Sequence, residues 1–549
     1  MTRMRLPFTT LLITVALANF ATLVVTYLLS VPVWWAVPIY LGCAVGGWLL
    51  ARRIRWRRPA IKIDRTCVAL AVLTLVLLTI PRLGYVTEWI PGNTVASIGD
   101  DYSRLFEIIS MTLSKSYPLR HSCNSGYLLA YYYSGLYPFA VLKLLIPCMT
   151  LKDSLLVGYF FYHVLMLGSF VELTHLLMRN TVSARILMFL VTLFGGLDWM
   201  MAGSLMTDCE WWQARWFHAS TQVTAFYTAQ LIVIHHFLSF LSIMLAYAVF
   251  FYSRVAGGVR LKALIVLLLC ASAFFASPYP VLSAPFLAIV HYRVILRRLV
   301  LSWAMPVVAL AALVPLPLYC GRPPEQGFGF CTFRLALTGN YVVDRILGIP
   351  PFFLLVPLIE FGGIPFVLFF LFRRLGRTMR YYLLGSTAFF ALTYVVADKT
   401  AGNLSWRGMF LPTFAMYAIF AYYFGRYGLT LIGAKYRRAA GVAFKLIAAA
   451  GIIGLLQSFT LECGISLKYN SLAHRLVGRP SPAKLAVLER IGSRDIARNR
   501  SITELDYRPE YGDRLLLVNA EKLINGVAIE DMAMWERQRA RKPVRWQFW

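Results

Sequence analysis

The feature that most constrains this chain is its series of long apolar runs, each long enough to cross a membrane. A helix needs about 20 apolar residues to span the hydrocarbon core. The runs occupy roughly residues 6–30, 32–50, 66–85, 153–177, 185–202, 227–252, 260–276, 279–292, 299–319, 351–372, 381–397, 407–424 and 439–458. Of the 549 residues, 59% are hydrophobic and only 14% charged, whereas soluble domains carry about 25% charged residues. These values exclude a soluble, a disordered or a nucleic-acid-binding protein and predict an all-α polytopic membrane protein of about 13 transmembrane helices.

One further apolar stretch, 127–148, is interpreted as an interfacial helix because of its tyrosines, Pro138 and the central Lys143. The distribution of charge supports leaving it out of the spans, since cytoplasmic loops collect Lys and Arg. Without it, the loops predicted on the inside hold 26 Lys and Arg against one acid, Asp64. These segments are 1–5, 51–65, 178–185, 253–262, 293–298, 373–380 and 425–445. The outside loops carry nearly balanced charge. We therefore expect a cytoplasmic N-terminus, with the C-terminus outside.

This topology divides the chain into a transmembrane part, 1–458, and a tail, 459–549. The first apolar run is longer than the core of a typical signal peptide, so we expect a retained anchor. The tail is richer in charge and has a hinge at Pro480 and Pro482, which predicts a small extracytoplasmic domain of α/β or mixed type. A disulfide between Cys320 and Cys331, in one outside loop, is an open alternative to two free thiols. A pair formed by Cys123 and Cys209 is a weaker one.

The outside stretch after the third run holds two adjacent carboxylates, Asp100 and Asp101, followed one turn later by Arg104. One interpretation is a helix start, where Asp residues cap free amides. The other is catalytic, because a carboxylate can act as a general base on an attacking hydroxyl. The chain contains no nucleotide-binding glycine loop and no HExxH zinc motif.

The arrangement around these carboxylates resembles the GT-C glycosyltransferases, integral membrane enzymes that use polyprenyl-phosphate-linked sugars. Their pattern is a span, an outside loop with an Asp-Asp or Asp-Glu pair, an interfacial helix, and a span closed by an inside Arg. Here the sequence supplies Gly99-Asp100-Asp101-Tyr102, His121-Ser122-Cys123-Asn124, the Tyr131-Tyr132-Tyr133 stretch, and a span ending at Arg179. The resemblance covers about 66–202. It departs from the family in an extra hairpin at 6–50 and in the lack of Pro-Pro after His121.

The resemblance implies a GT-C-like arrangement of helices, with the first large outside loop, 86–152, carrying the interfacial helix 127–148. It also implies Asp100 as the base and Asp101 as the following acid, which in some members of the family helps to hold a metal. The expected reaction moves a sugar from a polyprenyl-phosphate donor to a glycan, lipid or protein hydroxyl, with inversion. The implied partners are membrane lipid, the donor and the acceptor, and we expect a bacterial inner-membrane location.

Cations near the outer surface are candidates for binding the donor phosphate, and each has a structural alternative. Arg407 opens the twelfth run and is either a snorkelling anchor or a phosphate ligand. Arg104 either pairs with the carboxylates or binds phosphate. Arg215 and His218 lie in a loop rich in aromatic residues that is equally typical of a membrane-interface belt.

Two adjacent histidines, His235 and His236, lie inside the sixth run, where ionisable side chains are functional candidates. A neutral, hydrogen-bonded imidazole is the structural alternative to phosphate binding. A divalent cation, Mg²⁺, Mn²⁺ or Ca²⁺, is a possible cofactor, with Asp101 and His236 as ligands. Glu172 and His175, one turn apart near the inside end of the fourth run, are expected to pair with each other.

Two other functions fit an apolar chain of this kind. A lipid or polysaccharide flippase, or a secondary transporter, places charges near the bilayer midplane and shows internal repeats, neither of which is prominent here. An O-antigen ligase or polymerase relies on Arg and His in a large late outside loop. The segment 320–350 contains Arg322, Arg334 and Arg345 and keeps this alternative open.

Overall fold

The fold is a bundle of apolar helices with four short two-stranded pairings in its loops. The computed structural model describes residues 6–57, 62–85, 88–90, 93–94, 108, 111–112, 114, 116–121, 124–128, 133–146, 149, 151–178, 180–197, 200, 234–316, 328–330, 334, 337–398, 404, 407–431 and 437–476. The helices are α1 Pro7–Leu29, α2 Ala36–Ala51, α3 Arg65–Tyr85, α4 Tyr137–Leu145, α5 Leu151–Leu177, α6 Thr181–Thr192, α7 Ile234–Tyr252, α8 Gly258–Ala276, α9 Pro278–Ala288, α10 Tyr292–Ile295, α11 Ala304–Leu313, α12 Tyr341–Glu360, α13 Ile364–Phe370, α14 Arg377–Val395, α15 Phe410–Tyr427 and α16 Arg437–Leu476. The strands are β1 Ile54–Trp56, β2 Glu88–Ile90, β3 Asn93–Thr94, β4 Arg120–His121, β5 Asn124–Leu128, β6 Ser253–Val255, β7 Phe328–Phe330 and β8 Val396–Asp398.

Within the described residues, eight helical segments are long and apolar enough to cross a membrane, as expected of a polytopic protein. They are Pro7–Leu29, Val33–Ala51, Ser154–Leu177, His235–Tyr252, Gly258–Ala276, Pro278–Val300, Tyr341–Glu360 and Arg437–Thr460. Three more predicted spans correspond to shorter apolar helices, Arg65–Pro81, Thr181–Thr192 and Ala304–Leu313. The last two, 381–397 and 407–424, overlap α14 and α15. A total of 13 crossings stays a prediction.

The pairing of β1 with β6 joins two loops that are far apart in the sequence. The strands are antiparallel, with Ile54 opposite Val255 and Trp56 opposite Ser253. Because both loops lie at the same end of the bundle, the chain between them must cross an even number of times. The four predicted spans between them satisfy this condition, and a fifth at 127–148 would break it. We call this end of the bundle the basic end, since most Arg and Lys side chains of the described loops lie there.

The segment predicted as one interfacial helix, 127–148, is divided in the structure. Residues 127 and 128 belong to β5, a 3-10 turn covers Tyr133–Leu136, and α4 is a helix of nine residues, too short to span a bilayer. Tyr133 and Tyr137 are fully buried against protein, so they do not lie at a lipid interface as their sequence had suggested. The bridge of Pro32 with Ser116 joins the preceding part of this loop to the end of α1.

Polar contacts at the basic end hold the helix termini together. Glu172 of α5 accepts hydrogen bonds from the backbone N–H groups of Phe8 (3.2 Å) and Thr9 (2.8 Å), so its carboxylate caps the first turn of α1. His175 instead accepts the backbone N–H of Asp64 at its Nε2 (2.9 Å), while its Nδ1 donates to the carbonyl of Val171. The expected pairing of Glu172 with His175 is therefore wrong. Glu172 binds the start of α1, whereas His175 binds the residue before α3.

The carboxylate of Asp64 is held by Arg185 in a two-point ion pair. The guanidinium donates from Nε to Oδ2 and from Nη2 to Oδ1, both at 2.9 Å. Hydrogen bonding to this guanidinium keeps the pKa of Asp64 well below its usual range. The contact ties the start of α3 to α6 at the basic end.

Helix packing depends on glycines at close backbone approaches, as is common between membrane helices. A Cβ on Gly385 of α14 would lie 2.3 Å from the carbonyl oxygen of Phe286 in α9. A Cβ on Gly425 of α15 would lie 2.3 Å from Ser183 Oγ at the start of α6.

The run predicted at 351–372 is broken at Gly362 and Gly363, which have φ values of 58° and 71°. Such left-handed residues end α12 at Glu360 before α13 begins.

The tail boundary predicted at 458 falls inside α16, which continues to Leu476. The first proline after this helix is Pro480, so no residue with a fixed φ interrupts it earlier. The expected strand and helix of the tail lie beyond the described residues.

The paired loops give a prediction about sidedness. Cysteines placed at Arg55 and Arg254, which face each other across the β1–β6 pair, are expected to react with a membrane-impermeant maleimide from the same side of the membrane. The charge distribution predicts that this side is the cytoplasmic one. A cysteine at Leu337, which is 73% exposed in the loop before α12, should react from the other side. Labelling above that of the parent chain, in right-side-out and inverted vesicles, measures this. Opposite accessibility of positions 55 and 254 would contradict the pairing.

The close approach at Gly385 gives a second prediction. Gly385→Ala should lower the free energy of unfolding by about 1–3 kcal/mol, since the added methyl group must displace a backbone carbonyl. The matched control is Gly46→Ala in α2, where a Cβ meets nothing within 4 Å. Thermal midpoints in detergent compare the two variants. Equal midpoints would show that the helices separate at no cost.

Candidate functional site

The histidines predicted as site residues lie in the first turn of α7, at the end of the bundle opposite the basic end. His235 is 2% exposed and His236 is fully buried. Their rings are in contact, with centroids 3.9 Å apart. Most of the residues that follow in α7 are apolar and buried, including Leu241 and Leu245, so this helix runs through the protein core. The two imidazoles are therefore enclosed by protein and do not face lipid.

A break between α8 and α9 supplies the partner of His236. Ser277 precedes Pro278 and is extended (φ −168°, ψ 129°), the conformation that a residue before proline prefers. Its hydroxyl is hydrogen-bonded to His236 Nδ1, and its carbonyl oxygen accepts the hydroxyl of Ser239 at 2.8 Å. These hydrogen bonds fix the orientation of the buried His236 imidazole. The Ser-Pro-Tyr-Pro sequence within an apolar run was the signal that could have identified Ser277.

The 3-10 turn Tyr133–Leu136 packs directly on these histidines. A Cβ on Gly135 would lie 3.4 Å from His235 Cβ, so the absence of a side chain allows the close approach. The Gly135 carbonyl accepts the hydroxyl of Tyr162 in α5 at 2.7 Å. The chain that follows the Asp100-Asp101 loop is thereby brought to the histidines. We call His235, His236, Ser277 and the turn Tyr133–Leu136 the histidine cluster.

Tyrosine hydroxyls extend this polar region toward the end of α1. The Tyr137 hydroxyl is 3.0 Å from Thr26 Oγ1, and the backbone N–H of Tyr117 donates to Val31. Burial raises the pKa of Tyr117, Tyr133 and Tyr137 above the ordinary value of 10. These phenols therefore stay protonated and neutral at physiological pH.

Arg407, the predicted phosphate ligand, is only 6% exposed. It lies one turn before Phe410 of α15, whose ring packs against Phe237 (6.3 Å between centroids) and Phe240 (6.1 Å) of α7. The guanidinium is therefore inside the protein, at the same end of the bundle as the histidine cluster. The interpretation of Arg407 as a snorkelling anchor at the lipid surface is wrong, because such a side chain would be exposed.

The remaining predicted site residues lie outside the described part of the chain. These are the two carboxylates, two arginines and one histidine: Asp100, Asp101, Arg104, Arg215 and His218. The four cysteines of the two suggested disulfides lie outside it as well. The structure therefore places three predicted residues, His235, His236 and Arg407, at the same end of the bundle, and it adds Ser277, which sequence reasoning had missed.

The predicted divalent cation is not supported by a complete set of ligands. Among the residues that the structure describes, no three His, Cys, Asp or Glu side chains are close enough to hold an ion. Asp101, one of the two predicted ligands, lies outside them. The second, His236, has its Nδ1 bonded to Ser277. We therefore assign no step of the reaction to a metal.

Comparison with family models, with curated proteins and with solved structures finds no match to this chain.

Proposed function

We propose that this protein is an inverting glycosyltransferase that moves a sugar from a polyprenyl-phosphate donor to a hydroxyl of a glycan, lipid or protein. The observation that carries the proposal is the position of the histidine cluster and Arg407. Buried basic side chains lie at the end of the bundle opposite the basic end, and His235 packs against the turn Tyr133–Leu136, which follows the Asp100-Asp101 loop in the sequence. A phosphate donor would find cations and hydrogen-bond donors there, near the carboxylates that the resemblance to GT-C enzymes assigns to catalysis.

The chemistry needs a base on one side of the anomeric carbon and cationic groups on the other. Asp100 takes the proton of the acceptor hydroxyl, and the resulting oxygen attacks the anomeric carbon. The bond from that carbon to the phosphate oxygen breaks, and polyprenyl phosphate leaves with the electron pair. One direct displacement inverts the anomeric centre. Asp101 is the alternative base.

Arg407 and the histidines are assigned to the leaving phosphate. A guanidinium can donate two parallel hydrogen bonds to phosphate oxygens, and the bonds are stronger away from water. His236, fixed through Nδ1 by Ser277, would be held in one orientation toward the same group. Arg104, Arg215 and His218 are further phosphate ligands in this proposal. The lipid chain of the donor would lie in the surrounding bilayer.

The proposed setting is the inner membrane of a bacterium, with the N-terminus cytoplasmic and the active site outside. The excess of Lys and Arg in the predicted inside loops supports this orientation. The tail, 459–549, would then form an extracytoplasmic domain beside the site. There it would contact the acceptor.

The role of Asp100 is tested by Asp100→Asn, which keeps the shape of the side chain but cannot take a proton. Transfer from a panel of polyprenyl-phosphate-linked hexoses and pentoses should fall by about 10²–10⁴-fold, the usual contribution of a general base. Donor binding should be retained. Asp101→Asn, assayed in parallel, identifies the base, and Glu88→Gln in the same outside loop is the control. Near-normal transfer in both Asp variants would exclude the proposed mechanism.

The role of Arg407 is tested by Arg407→Lys, which retains the charge but loses the planar pair of donors. We expect the Kd for polyprenyl phosphate to rise by about tenfold, in line with the loss of a charge-assisted hydrogen bond. The control is Arg334→Lys. Arg334 precedes α12, and its guanidinium lies 5.2 Å from the centroid of the Tyr341 ring. Unchanged donor affinity in a folded Arg407→Lys protein would remove Arg407 from the phosphate site.

A further inference from the structure

A cavity of about 730 Å³ lies at the basic end, far from the histidine cluster. Three of its lining side chains are arginines, Arg260, Arg297 and Arg298. None of the described residues that line it is acidic. The cavity therefore concentrates three positive charges with no compensating negative charge in its walls.

Two neighbouring elements bring these arginines together. Arg260 lies in the first turn of α8, which begins at Gly258 after β6. Arg297 and Arg298 lie in a π-helical turn, Leu296–Val300, that closes with a hydrogen bond from the Leu301 N–H to the Leu296 carbonyl (2.9 Å). The wider turn places consecutive arginines on the same cavity.

Some arginines at the basic end have their charge engaged by other side chains. Arg185 is bound by Asp64, and the Arg52 guanidinium lies 4.3 Å from the centroid of the Trp48 ring. Within the described part of the chain, no hydrogen bond, ion pair or ring contact engages Arg260, Arg297 or Arg298. Three like charges around one cavity repel each other, so an anion that fills it is stabilised by all three.

The rim of the cavity is apolar and open. Leu301 is 73% exposed, Val259 62% and Trp303 49%, and Trp is the residue typical of the membrane–water interface. The adjoining segment Pro278–Val300 is one of the candidate spans. An occupant that satisfies both surfaces has an anionic head for the arginines and an apolar chain for the rim.

We propose that this cavity binds the phosphate headgroup of an anionic phospholipid in the leaflet at the basic end. The arginines contact the phosphate oxygens, while the Ser302 hydroxyl at the cavity wall already donates to the Leu299 carbonyl (2.6 Å). The acyl chains lie over Val259 and Leu301. Basic pockets between membrane helices on the cytoplasmic side are suited to such headgroups. The site does not depend on the proposed glycosyl transfer.

The test is native mass spectrometry of the full chain, titrated with phosphatidylglycerol, with phosphatidylcholine or with inorganic phosphate. We expect one tightly held phosphatidylglycerol and much weaker binding of phosphatidylcholine. The variant Arg260→Gln/Arg297→Gln/Arg298→Gln should lose affinity for phosphatidylglycerol by on the order of 100-fold, because each Arg near an anionic lipid contributes about fivefold.

The matched control is Arg373→Gln/Arg437→Gln/Arg438→Gln, which removes the same charge from exposed positions in other segments of the basic end, the turn after α13 and the start of α16. It should keep the tight phosphatidylglycerol. An equal loss in this control would overturn the proposal, since attraction would then be spread over the whole basic end. Equal retention of phosphatidylcholine, or displacement of the lipid by millimolar inorganic phosphate, would overturn it as well. Thermal midpoints of both triple variants, measured without lipid, check that each is folded.

Discussion

The hydrogen bonds between β1 and β6 are the contact on which the rest of the arrangement depends. Because the two strands are separated by nearly 200 residues, their pairing fixes how many times the intervening chain can cross. It therefore decides at which end of the bundle α7 begins. That decision places the histidine cluster opposite the basic end.

A backbone break inside the membrane region has a cost, because its free polar groups have no water to bind. At Ser277 these polar groups are hydrogen-bonded within the protein. Its carbonyl accepts the Ser239 hydroxyl, its N–H donates to Ala273, and its side chain is bonded to His236. The same residue that completes the helix ends thus orients an imidazole. The break between α8 and α9 therefore also positions the polar His236 ring among apolar helices.

Hydropathy predicted the helices well because a bilayer-length apolar run has few alternatives to a helix. It predicted the hydrogen-bond partners of polar side chains poorly. Glu172 and His175 are one turn apart, yet one caps α1 and the other meets Asp64. Neither contact can be read from helical spacing, since both depend on which helices are neighbours. The burial of Arg407 was missed for the same reason. The run at 351–372 was misplaced because hydropathy does not register the left-handed glycines that end α12.

For the candidate site, sequence reasoning found residue types and the structure supplied their neighbours. The histidines and Arg407 were identified as ionisable groups in apolar surroundings, and Ser277 only became visible once α7 packed beside the α8–α9 break. The catalytic assignment of Asp100 and Asp101 still rests on their position in the sequence and on the resemblance to GT-C enzymes.

The two ends of the bundle use positive charge in different ways. At the basic end, Arg260, Arg297 and Arg298 are exposed, so water and salt screen them and weaken their attraction for anions. At the opposite end, Arg407 and the histidines are buried, where the effective dielectric constant is lower, so a phosphate bound there would be held more strongly and in one orientation. Orientation is what a displacement reaction needs, and simple attraction is sufficient for a lipid headgroup. Burial therefore distinguishes a proposed catalytic cation from a proposed anchoring one.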